Sequence, residues 1–398
     1  MKYDWIVVGN GITGAAASYE LAKAGAAVLL LDRHQQNQGA TRYSYGGIAY
    51  WSGTTPLLQQ LCQEGLERHR HLSDELGAST QFRELDLILT LPVDGDPDAI
   101  AAAYANCEIP PQRLTPQEAE ELEPLLNPQA IAGALTVKHG HVDPVCFLQA
   151  YNQAFQHRGG VRRVAAVTDL WQQGDRVQGV MTEMGAIAAG NVLICAGGLS
   201  RDLLYRAGLP ISQFFTHAEL IEISSQETSG CQALRSLVMP ADLKRFSLEA
   251  AASRPEAALA WQESGQEVVP SILDAGAIQF QTGRLILGQV SRALSDPFAS
   301  VDAGRSEASI RDGVSKILPS LGYLPGRWHH CLVAFSGDRL PLIGPVPGVE
   351  GVHLFSGFGN PFAILPSLAA RFATHVTQEP DRIISQLNPN RPSLRNCP

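Results

Sequence analysis

Apolar and polar positions divide the first 32 residues into three segments. Residues 5–8 and residues 27–31 are continuous apolar runs, as expected for parallel strands that are buried on both faces. Between these runs, residues 15–24 are rich in alanine and leucine, and Gly25 suits the end of a helix. The pattern therefore predicts a strand, a helix and a second strand, which together form one βαβ unit.

The pattern changes further along the chain. Alternating polar and apolar positions between residues 211 and 293 are typical of an antiparallel sheet, and residues 140–144 indicate a turn. Helical periodicity predicts helices at residues 55–76, 145–157, 305–317 and 362–377. Strands interleaved with helices predict an α/β fold, in which a second region is built on a mixed or antiparallel sheet.

Three glycines follow the first predicted strand at a spacing that suits a phosphate-binding turn. Gly9 permits the tight turn, Gly11 lets the backbone approach a pyrophosphate, and Gly14 lets the helix pack closely on the strand. Asp32 ends the second strand, where its carboxylate can accept a hydrogen bond from a ribose hydroxyl. A glycine turn alone is weak evidence, but its place in a complete βαβ unit predicts a Rossmann-type domain that binds FAD or NAD.

Composition limits the classes of partner. The chain has 398 residues and a net charge of −9, which argues against nucleic acid or an anionic membrane as the main partner. The seven cysteines form no CxxC motif or Cys/His cluster, so no metal site and no disulfide framework is expected. There is no signal-peptide pattern and no apolar run of the roughly 18 residues that a membrane span needs. We expect a cytoplasmic location, and the oligomeric state stays open.

Further motifs distinguish FAD from NAD. They are the segments GATRYSYGG (39–47), GHVDP (140–144), GRLILG (283–288), DRLPLIGP (338–345) and FSGFGNPF (355–362). Taken together, these segments resemble the FAD-dependent amine and amino-acid oxidase family, whose members include glycine oxidase, sarcosine oxidase and D-amino-acid oxidase. The resemblance is weakest between residues 210 and 275.

The resemblance implies a discontinuous FAD-binding domain and a separate substrate domain. We expect the FAD-binding domain to comprise residues 1–85, 140–210 and 326–380, and the substrate domain to comprise residues 86–139 and 211–325. Glycines 357 and 359, followed by a helix, can bring backbone donors to the flavin edge that becomes negative on reduction. The glycine turn and the resemblance together imply the following FAD-binding residues: Gly9, Gly11, Ile12, Thr13, Gly14, Asp32, Arg33, Ala40, Thr41, Arg42, Gly46, Gly47, Val167, Ala196, Gly197, Cys331, Asp338, Gly357, Phe358, Gly359, Asn360, Pro361 and Phe362.

The substrate side departs from the family pattern. Glycine oxidase and D-amino-acid oxidase usually carry an arginine, five residues before the motif aspartate, that binds the substrate carboxylate; this chain has Val333 there. An amine without an α-carboxylate is therefore one expected substrate class. Arg42, Tyr45 and Arg284 are the catalytic candidates, although salt-bridge or packing roles explain these residue types equally well. The same holds for the histidines and aromatic residues near the motifs: His217, His329, His330, Tyr43, Tyr50 and Trp51.

Cys331 is a second open question. In relatives of sarcosine oxidase, a cysteine seven residues before the motif aspartate can form a thioether to the flavin, and Cys331 stands at that distance from Asp338. A thiolate would be the nucleophile, and His329 or His330 could help to ionise it. The alternative is a buried structural cysteine at the start of a strand.

The predicted function is oxidation of the C–N bond of a small amine or amino acid. In this interpretation a neutral amine gives a hydride to flavin N5, the imine hydrolyses, and oxygen or another acceptor reoxidises the flavin. No general base is assigned. Three alternatives are a dehydrogenase that passes electrons to a quinone or protein, a catalytically quiet FAD-binding subunit of a larger complex, and an oxidase module for modified tRNA, which the negative charge disfavours.

Overall fold

The strands divide between two sheets. The computed structural model describes residues 3–394. The strands are β1 (Tyr3–Val8), β2 (Val28–Asp32), β3 (Gly47–Ile48), β4 (Arg83–Pro92), β5 (Gln112–Leu114), β6 (Ile131–His141), β7 (Val161–Val164), β8 (Val167–Gln173), β9 (Arg176–Thr182), β10 (Gly185–Ile194), β11 (Gln213–Ile223), β12 (Leu237–Pro240), β13 (Glu267–Gln279), β14 (Leu285–Leu294), β15 (Arg327–Ser336), β16 (Leu342–Pro345) and β17 (Val352–Ser356).

Twelve α-helices connect these strands within the described residues. They are α1 (Ile12–Lys23), α2 (Ala40–Tyr43), α3 (Pro56–Leu76), α4 (Pro97–Ala102), α5 (Pro116–Leu122), α6 (Pro144–His157), α7 (Ser200–Arg206), α8 (Lys244–Ala252), α9 (Ala258–Gln262), α10 (Ala303–Ile317), α11 (Pro361–Thr377) and α12 (Arg382–Gln386). None of the helices in residues 3–394 is both long and apolar enough to cross a membrane.

The first sheet has the predicted dinucleotide-binding architecture. Its order is β16-β17-β10-β1-β2-β7, in which the strands from β17 to β7 are parallel and β16 is antiparallel. The β8–β9 hairpin extends from β10. Helices α1, α6 and α11 cover one face; Tyr19 of α1 packs edge-on against Tyr151 of α6, and Trp5 of β1 packs against Phe372 of α11. The predicted α/β class is confirmed.

The second sheet is mixed, as expected. Its order is β15-β11-β14-β13-β12-β4-β6-β3, with β5 paired to β6. Within residues 3–394, the β12–β4 pair is the one parallel pair of this sheet, and its other pairs are antiparallel. Helix α10 packs on one end of this sheet, where Ile310 and Val314 are fully buried. The cavity described below lies between the two sheets.

One local prediction needs correction, and one expected domain boundary assigns a strand of the second sheet to the FAD-binding domain. Residues 140 and 141 end the long strand β6 instead of belonging to a turn, which is limited to the residues before Pro144. Residues 327–336, which the expected boundaries placed with the FAD-binding domain, form β15 and pair with β11 in the second sheet. An apolar run indicates a strand, but its partner depends on residues more than a hundred positions away. The domain boundaries themselves remain a prediction.

Candidate active site

The turn after β1 requires its glycines for steric reasons. Gly9 has a positive φ of 105°, and a Cβ atom there would lie 2.6 Å from the carbonyl oxygen of Cys195. A Cβ atom on Gly14 would lie 1.8 Å from the carbonyl oxygen of Gly9, so α1 can approach β1 only with glycine there. Gly11 differs, because the nearest atom to its Cβ position is Thr41 Oγ1 at 3.3 Å. The open side of Gly11 faces the cavity, where a pyrophosphate can approach the backbone.

Asp32 is held beside this turn by backbone donors. Its Oδ2 accepts a hydrogen bond from Asn10 N at 2.7 Å, and its Oδ1 accepts one from His34 N at 2.8 Å. Each carboxylate oxygen has a further lone pair, so the group can still accept hydrogen bonds from a ribose. Thr41 Oγ1 accepts from Ile12 N at 3.0 Å, and this bond ties the loop after β2 to the first turn of α1.

A single large cavity runs from this turn to the second sheet. Its volume is about 1290 Å³, which exceeds the roughly 300–1,000 Å³ of a pocket for one drug-sized ligand. Asp32 and Val167 line one end, and residues of β11, β12 and β15 line the other. The volume and the two walls fit a dinucleotide at one end with room for a small substrate at the other.

Most predicted FAD-binding residues meet at this cavity. They are Gly9, Gly11, Ile12, Thr13, Asp32, Arg33, Ala40, Thr41, Gly47, Val167, Ala196, Gly197, Cys331, Gly357, Phe358, Gly359, Asn360, Pro361 and Phe362. Their individual contacts with FAD stay a prediction. Tyr45, Trp51, His330 and Val333 also line the cavity, whereas Gly14, Arg42, Gly46, Arg284 and Asp338 do not.

Arg42 and Arg284 are held outside the cavity by ion pairs. Arg42 binds Glu222 through both terminal nitrogens, at 2.7 and 3.0 Å. Arg284 lies 3.2 Å from Glu222 and 3.1 Å from Asp143. Burial raises the pKa of Glu222, but hydrogen bonds from His329 and Arg42 outweigh this effect and hold it at about 2. This cluster, the Glu222 cluster, joins α2, β11, β15 and the residue before β14. Its ion pairs favour the salt-bridge role of Arg42 and Arg284, and their catalytic role stays a prediction.

The other predicted residues outside the cavity shape its walls. Gly46 has a φ of 70°, and a Cβ atom there would lie 2.1 Å from the carbonyl oxygen of Val142. Asp338 forms a two-point ion pair with Arg391, at 2.6 and 2.7 Å, and accepts a hydrogen bond from Leu340 N at 3.2 Å. These contacts fix the turn between β15 and β16. Asp338 therefore positions its neighbours and does not face the cavity.

The segment before α11 presents a helix N-terminus to the cavity. Gly357 has a φ of 71°, which favours glycine, and Asn360 precedes the first residue of the 17-residue helix α11. Among residues 3–394, no side chain caps this end of the helix. Its free N–H groups and positive dipole end can therefore stabilise negative charge beside Gly359 and Asn360. This placement agrees with the chemistry predicted for glycines 357 and 359.

The chamber next to the second sheet holds neutral polar groups. Tyr45 donates its hydroxyl to the carbonyl oxygen of Gly276 at 3.3 Å, and burial raises the pKa of Tyr45 above its ordinary value. Trp51 Nε1 donates to His139 Nδ1 at 3.0 Å. Since Nδ1 accepts, the ring proton of neutral His139 is on Nε2, and Nε2 has no hydrogen-bond partner among residues 3–394. Burial lowers the pKa of His139 to about 3, so the ring stays neutral at physiological pH.

His139 was not among the residues predicted from the sequence. It lies in β6, a strand that the pattern of apolar positions did not reveal. Alternation at residues 131–137 followed by His139 and His141 was the available signal, because it places both histidines on one face of a strand. Three further cavity residues were also missed: Arg245, Phe246 and Arg339.

The histidines near β15 occupy three different environments. His330 lines the cavity, and its Nε2 lies 2.7 Å from Nδ1 of the fully buried His217. His329 instead points to the Glu222 cluster, with Nε2 lying 3.3 Å from Glu222 Oε2. Cys331 reaches the cavity but is only 6% exposed, and burial raises its pKa to about 12. The thiolate is therefore disfavoured, which supports the structural alternative for Cys331.

Comparison with known proteins agrees with this fold and site. Residues 4–374 match the family model described as FAD dependent oxidoreductase, so the chain belongs to that family, and its cofactor is FAD. The resemblance inferred from the motifs is thereby confirmed. Glycine oxidase from Geobacillus kaustophilus superposes on the chain with a TM-score of 0.77 and 21% identity, over 98% of this chain and 99% of that one. At this identity the likeness shows a shared fold.

Two curated relatives match only part of the chain. The 4-methylaminobutanoate oxidase (formaldehyde-forming) of Paenarthrobacter nicotinovorans is 29% identical over 231 residues, which cover 56% of this chain and 28% of that protein. One subunit of the anaerobic glycerol-3-phosphate dehydrogenase of Escherichia coli (strain K12) is 30% identical over 228 residues, which cover 55% and 42% respectively. The chain thus spans less than half the length of each of these two relatives.

Proposed function

We propose that the protein oxidises the C–N bond of a small amine or amino acid, with FAD as the hydride acceptor. The observation that carries the proposal is the continuous cavity, which joins the dinucleotide turn to a chamber at the second sheet that Tyr45 and His139 line. The names of the relatives support it, since glycine oxidase and 4-methylaminobutanoate oxidase both indicate amine substrates. When bound, FAD would supply the acceptor for a hydride from the carbon next to the amine nitrogen, so that the amine would become an imine and water would hydrolyse it.

The chain's own residues fit the cofactor. The open face of Gly11 and the held carboxylate of Asp32 would bind the pyrophosphate and ribose, and the N-terminus of α11 would face the flavin ring. At the other end, Tyr45 and His139 are both kept neutral by burial. A chamber of this kind favours the neutral form of an amine over its ammonium form, because burial penalises the charged state. Only a neutral amine has the nitrogen lone pair that assists loss of hydride, so we assign no general base.

The electron acceptor separates two versions of this function. In the first version oxygen reoxidises the flavin; in the second, a quinone or protein does so. The second version is favoured by the absence of lysine from the cavity wall within residues 3–394, since an ammonium group beside the flavin would stabilise the negative charge of reduced oxygen. Mixing the reduced holoprotein with oxygen or with a quinone analogue, and timing the return of visible absorbance, distinguishes them.

An anaerobic flavin-bleaching screen tests the proposal. The yellow holoprotein is mixed with primary, secondary and N-methylated amines and with amino acids, and the loss of visible absorbance is followed. We expect bleaching by at least one amine class and an aldehyde or keto product. Glycerol 3-phosphate is included because one relative is named as a subunit of glycerol-3-phosphate dehydrogenase. Bleaching by glycerol 3-phosphate alone would refute C–N oxidation, and flavin that stays oxidised throughout would indicate a catalytically quiet member of a larger complex.

A cytoplasmic location also remains a proposal. All six cysteines in the described part of the chain are free, which suits a reducing compartment.

A further inference from the structure

Two arginines share one aromatic platform on the cavity wall. The guanidinium carbon of Arg245 lies 4.7 Å from the centroid of the Phe246 ring, and that of Arg339 lies at the same distance from the same ring. All three residues line the cavity. We call this group the Phe246 arginine pair. Cation–π contact orients a guanidinium without neutralising its charge, so the pair keeps its attraction for anions.

Within residues 3–394, only Arg245 of the pair forms an ion pair. Arg245 lies 3.1 Å from the buried carboxylate of Glu249, and its backbone N–H, like that of Lys244, is bound by Asp274. The Arg339 side chain is exposed and forms no hydrogen bond or ion pair within residues 3–394, but its charge, with that of Arg245, opposes the rise in the pKa of the buried Glu249 that burial causes. Asp242 lines the same cavity, but it forms no ion pair with Arg339 either. Arg339 is therefore the member of the pair that is available to an anionic ligand.

Arg339 occupies a backbone conformation that its side chain disfavours. Its φ is 65°, one of two positive values among the non-glycine residues of the described chain. The preceding Asp338 is fixed by its two-point ion pair with Arg391, which holds the turn in this shape. Glycine adopts this conformation more easily than arginine. An arginine in a position that suits glycine points to a functional role for the side chain.

The turn that carries Arg339 lies beside Gly359, in the segment that is expected to contact the flavin. The carbonyl oxygen of Arg339 is 3.4 Å from the Cβ position of Gly359. Val333, which replaces the carboxylate-binding arginine of glycine oxidase-like proteins, lines the same cavity and offers no charge. Arg339 follows it on the loop that leaves β15. The charge missing at position 333 is therefore present on a neighbouring element.

We propose that Arg339, with Arg245 and Phe246 beside it, binds a carboxylate group of the substrate. This inference rests on the proposed function and narrows its substrate class to amines that carry a carboxylate. It goes beyond the expectation of a substrate without an α-carboxylate, which was based on position 333 alone. Because the charge comes from a different element, the carboxylate need not be attached to the carbon that bears the amine.

The test is a binding titration with ligands that cannot be oxidised. 2-Furoate and its neutral amide, 2-furamide, are titrated into the yellow holoprotein, and binding is followed by the shift of the flavin absorbance. We expect the wild-type protein to bind furoate at least about tenfold more tightly than the amide, which lacks the charge-assisted pair. Arg339→Gly should weaken furoate binding by about tenfold to a hundredfold and leave amide binding unchanged.

Arg339→Gly suits the test because it removes the charge and relaxes the backbone at the same time. We expect its melting temperature to equal or exceed that of the wild type. Gln81→Gly is the matched backbone control, since Gln81 is the other non-glycine residue with a positive φ, at 54°, and lies outside the cavity wall. Arg305→Gln is the charge control, because Arg305 is exposed on α10, away from the cavity. Neither control should change furoate binding.

The titration tests the carboxylate site at Arg339, and the amine screen separately tests C–N oxidation. Equal furoate binding by the wild type and Arg339→Gly overturns the inference, even where the amine screen succeeds. Inorganic phosphate or glycerol 3-phosphate binding in place of furoate overturns the carboxylate assignment. Furoate binding that depends on Arg339, together with flavin that no amine bleaches, supports the anion site and refutes C–N oxidation. A series from N-methylglycine to 4-methylaminobutanoate then measures the spacing between amine and carboxylate.

Discussion

Four buried histidines should make the stability of the protein fall as the pH is lowered. His69, His139, His141 and His217 are each at most 4% exposed. Burial lowers their pKa values to about 4, 3, 3 and 4, respectively, against roughly 6.5 in an unfolded chain. The unfolded state therefore takes up protons below about pH 6.5 that the folded state refuses. This contribution to stability is complete above the unfolded pKa and is lost as the pH falls towards the folded values.

The expected size of this effect follows from the pKa values. From about pH 7 to about pH 5, each histidine lowers the free energy of unfolding by about 2 kcal/mol. Four such groups amount to about 8 kcal/mol, within the roughly 5–15 kcal/mol that stabilises a typical domain. Three buried carboxyl groups oppose the trend, because burial raises the pKa values of Glu20, Glu249 and Asp274, and these groups take up protons in the folded state. The net loss should therefore be smaller than the sum for the histidines.

Replacing one histidine isolates its contribution to the pH dependence of stability. Urea titrations of wild type and His139→Gln, followed by tryptophan fluorescence at several pH values, give the free energy of unfolding against pH. The variant should lose stability less steeply, by about 1.4 kcal/mol per pH unit, because one proton fewer separates the two states. His71→Gln is the control, since the His71 side chain is 72% exposed. If His139→Gln keeps the wild-type slope while its fold is intact, His139 is not held neutral and our account of the chamber is wrong.

Three further substitutions test the site. Gly11→Val should yield folded protein without FAD, measured by visible absorbance after purification, because the new side chain fills the pyrophosphate approach; full flavin content would contradict this placement. Glu222→Gln should lower the free energy of unfolding by about 1–3 kcal/mol in urea titrations, since two arginines lose their shared partner. As a control, Lys316→Gln removes one member of an exposed ion pair and should change the free energy of unfolding by less than about 1 kcal/mol. Acid denaturation should release FAD from both wild type and Cys331→Ser, because the thiol stays protonated; a yellow pellet in wild type alone would show a thioether.

The dinucleotide end of the site could be predicted because its constraints are local. Gly9, Gly14 and Asp32 lie within a span of 24 residues. The positive φ of Gly9, the contact between Gly14 and Gly9 and the hydrogen bond from Asn10 to Asp32 all arise inside that span. The same reasoning applies to Gly357, whose positive φ is needed at one turn before α11. Such positions restrict the backbone directly, so residue type and spacing are sufficient evidence.

The substrate end could not be predicted because distant residues determine it. Arg42 and Arg284 were catalytic candidates by residue type, but Glu222, 180 and 62 positions away, holds them in ion pairs outside the cavity. His139 was missed because the strand that carries it was not recognised, and its tautomer depends on Trp51, 88 positions away. Pairing register and side-chain partners of this kind are not encoded in local periodicity.

Position 333 shows how these two kinds of evidence interact. The local motif correctly identifies Val333 as uncharged, and the structure places it on the cavity wall. It does not follow that the substrate lacks every carboxylate, because a charge can reach the same cavity from another element. Arg339 does so from the turn that Asp338 and Arg391 hold, and Phe246 from α8 supplies the surface on which its guanidinium lies. Loss of a motif residue therefore removes one solution to substrate recognition, and only the arrangement of the whole cavity shows whether a different solution has replaced it.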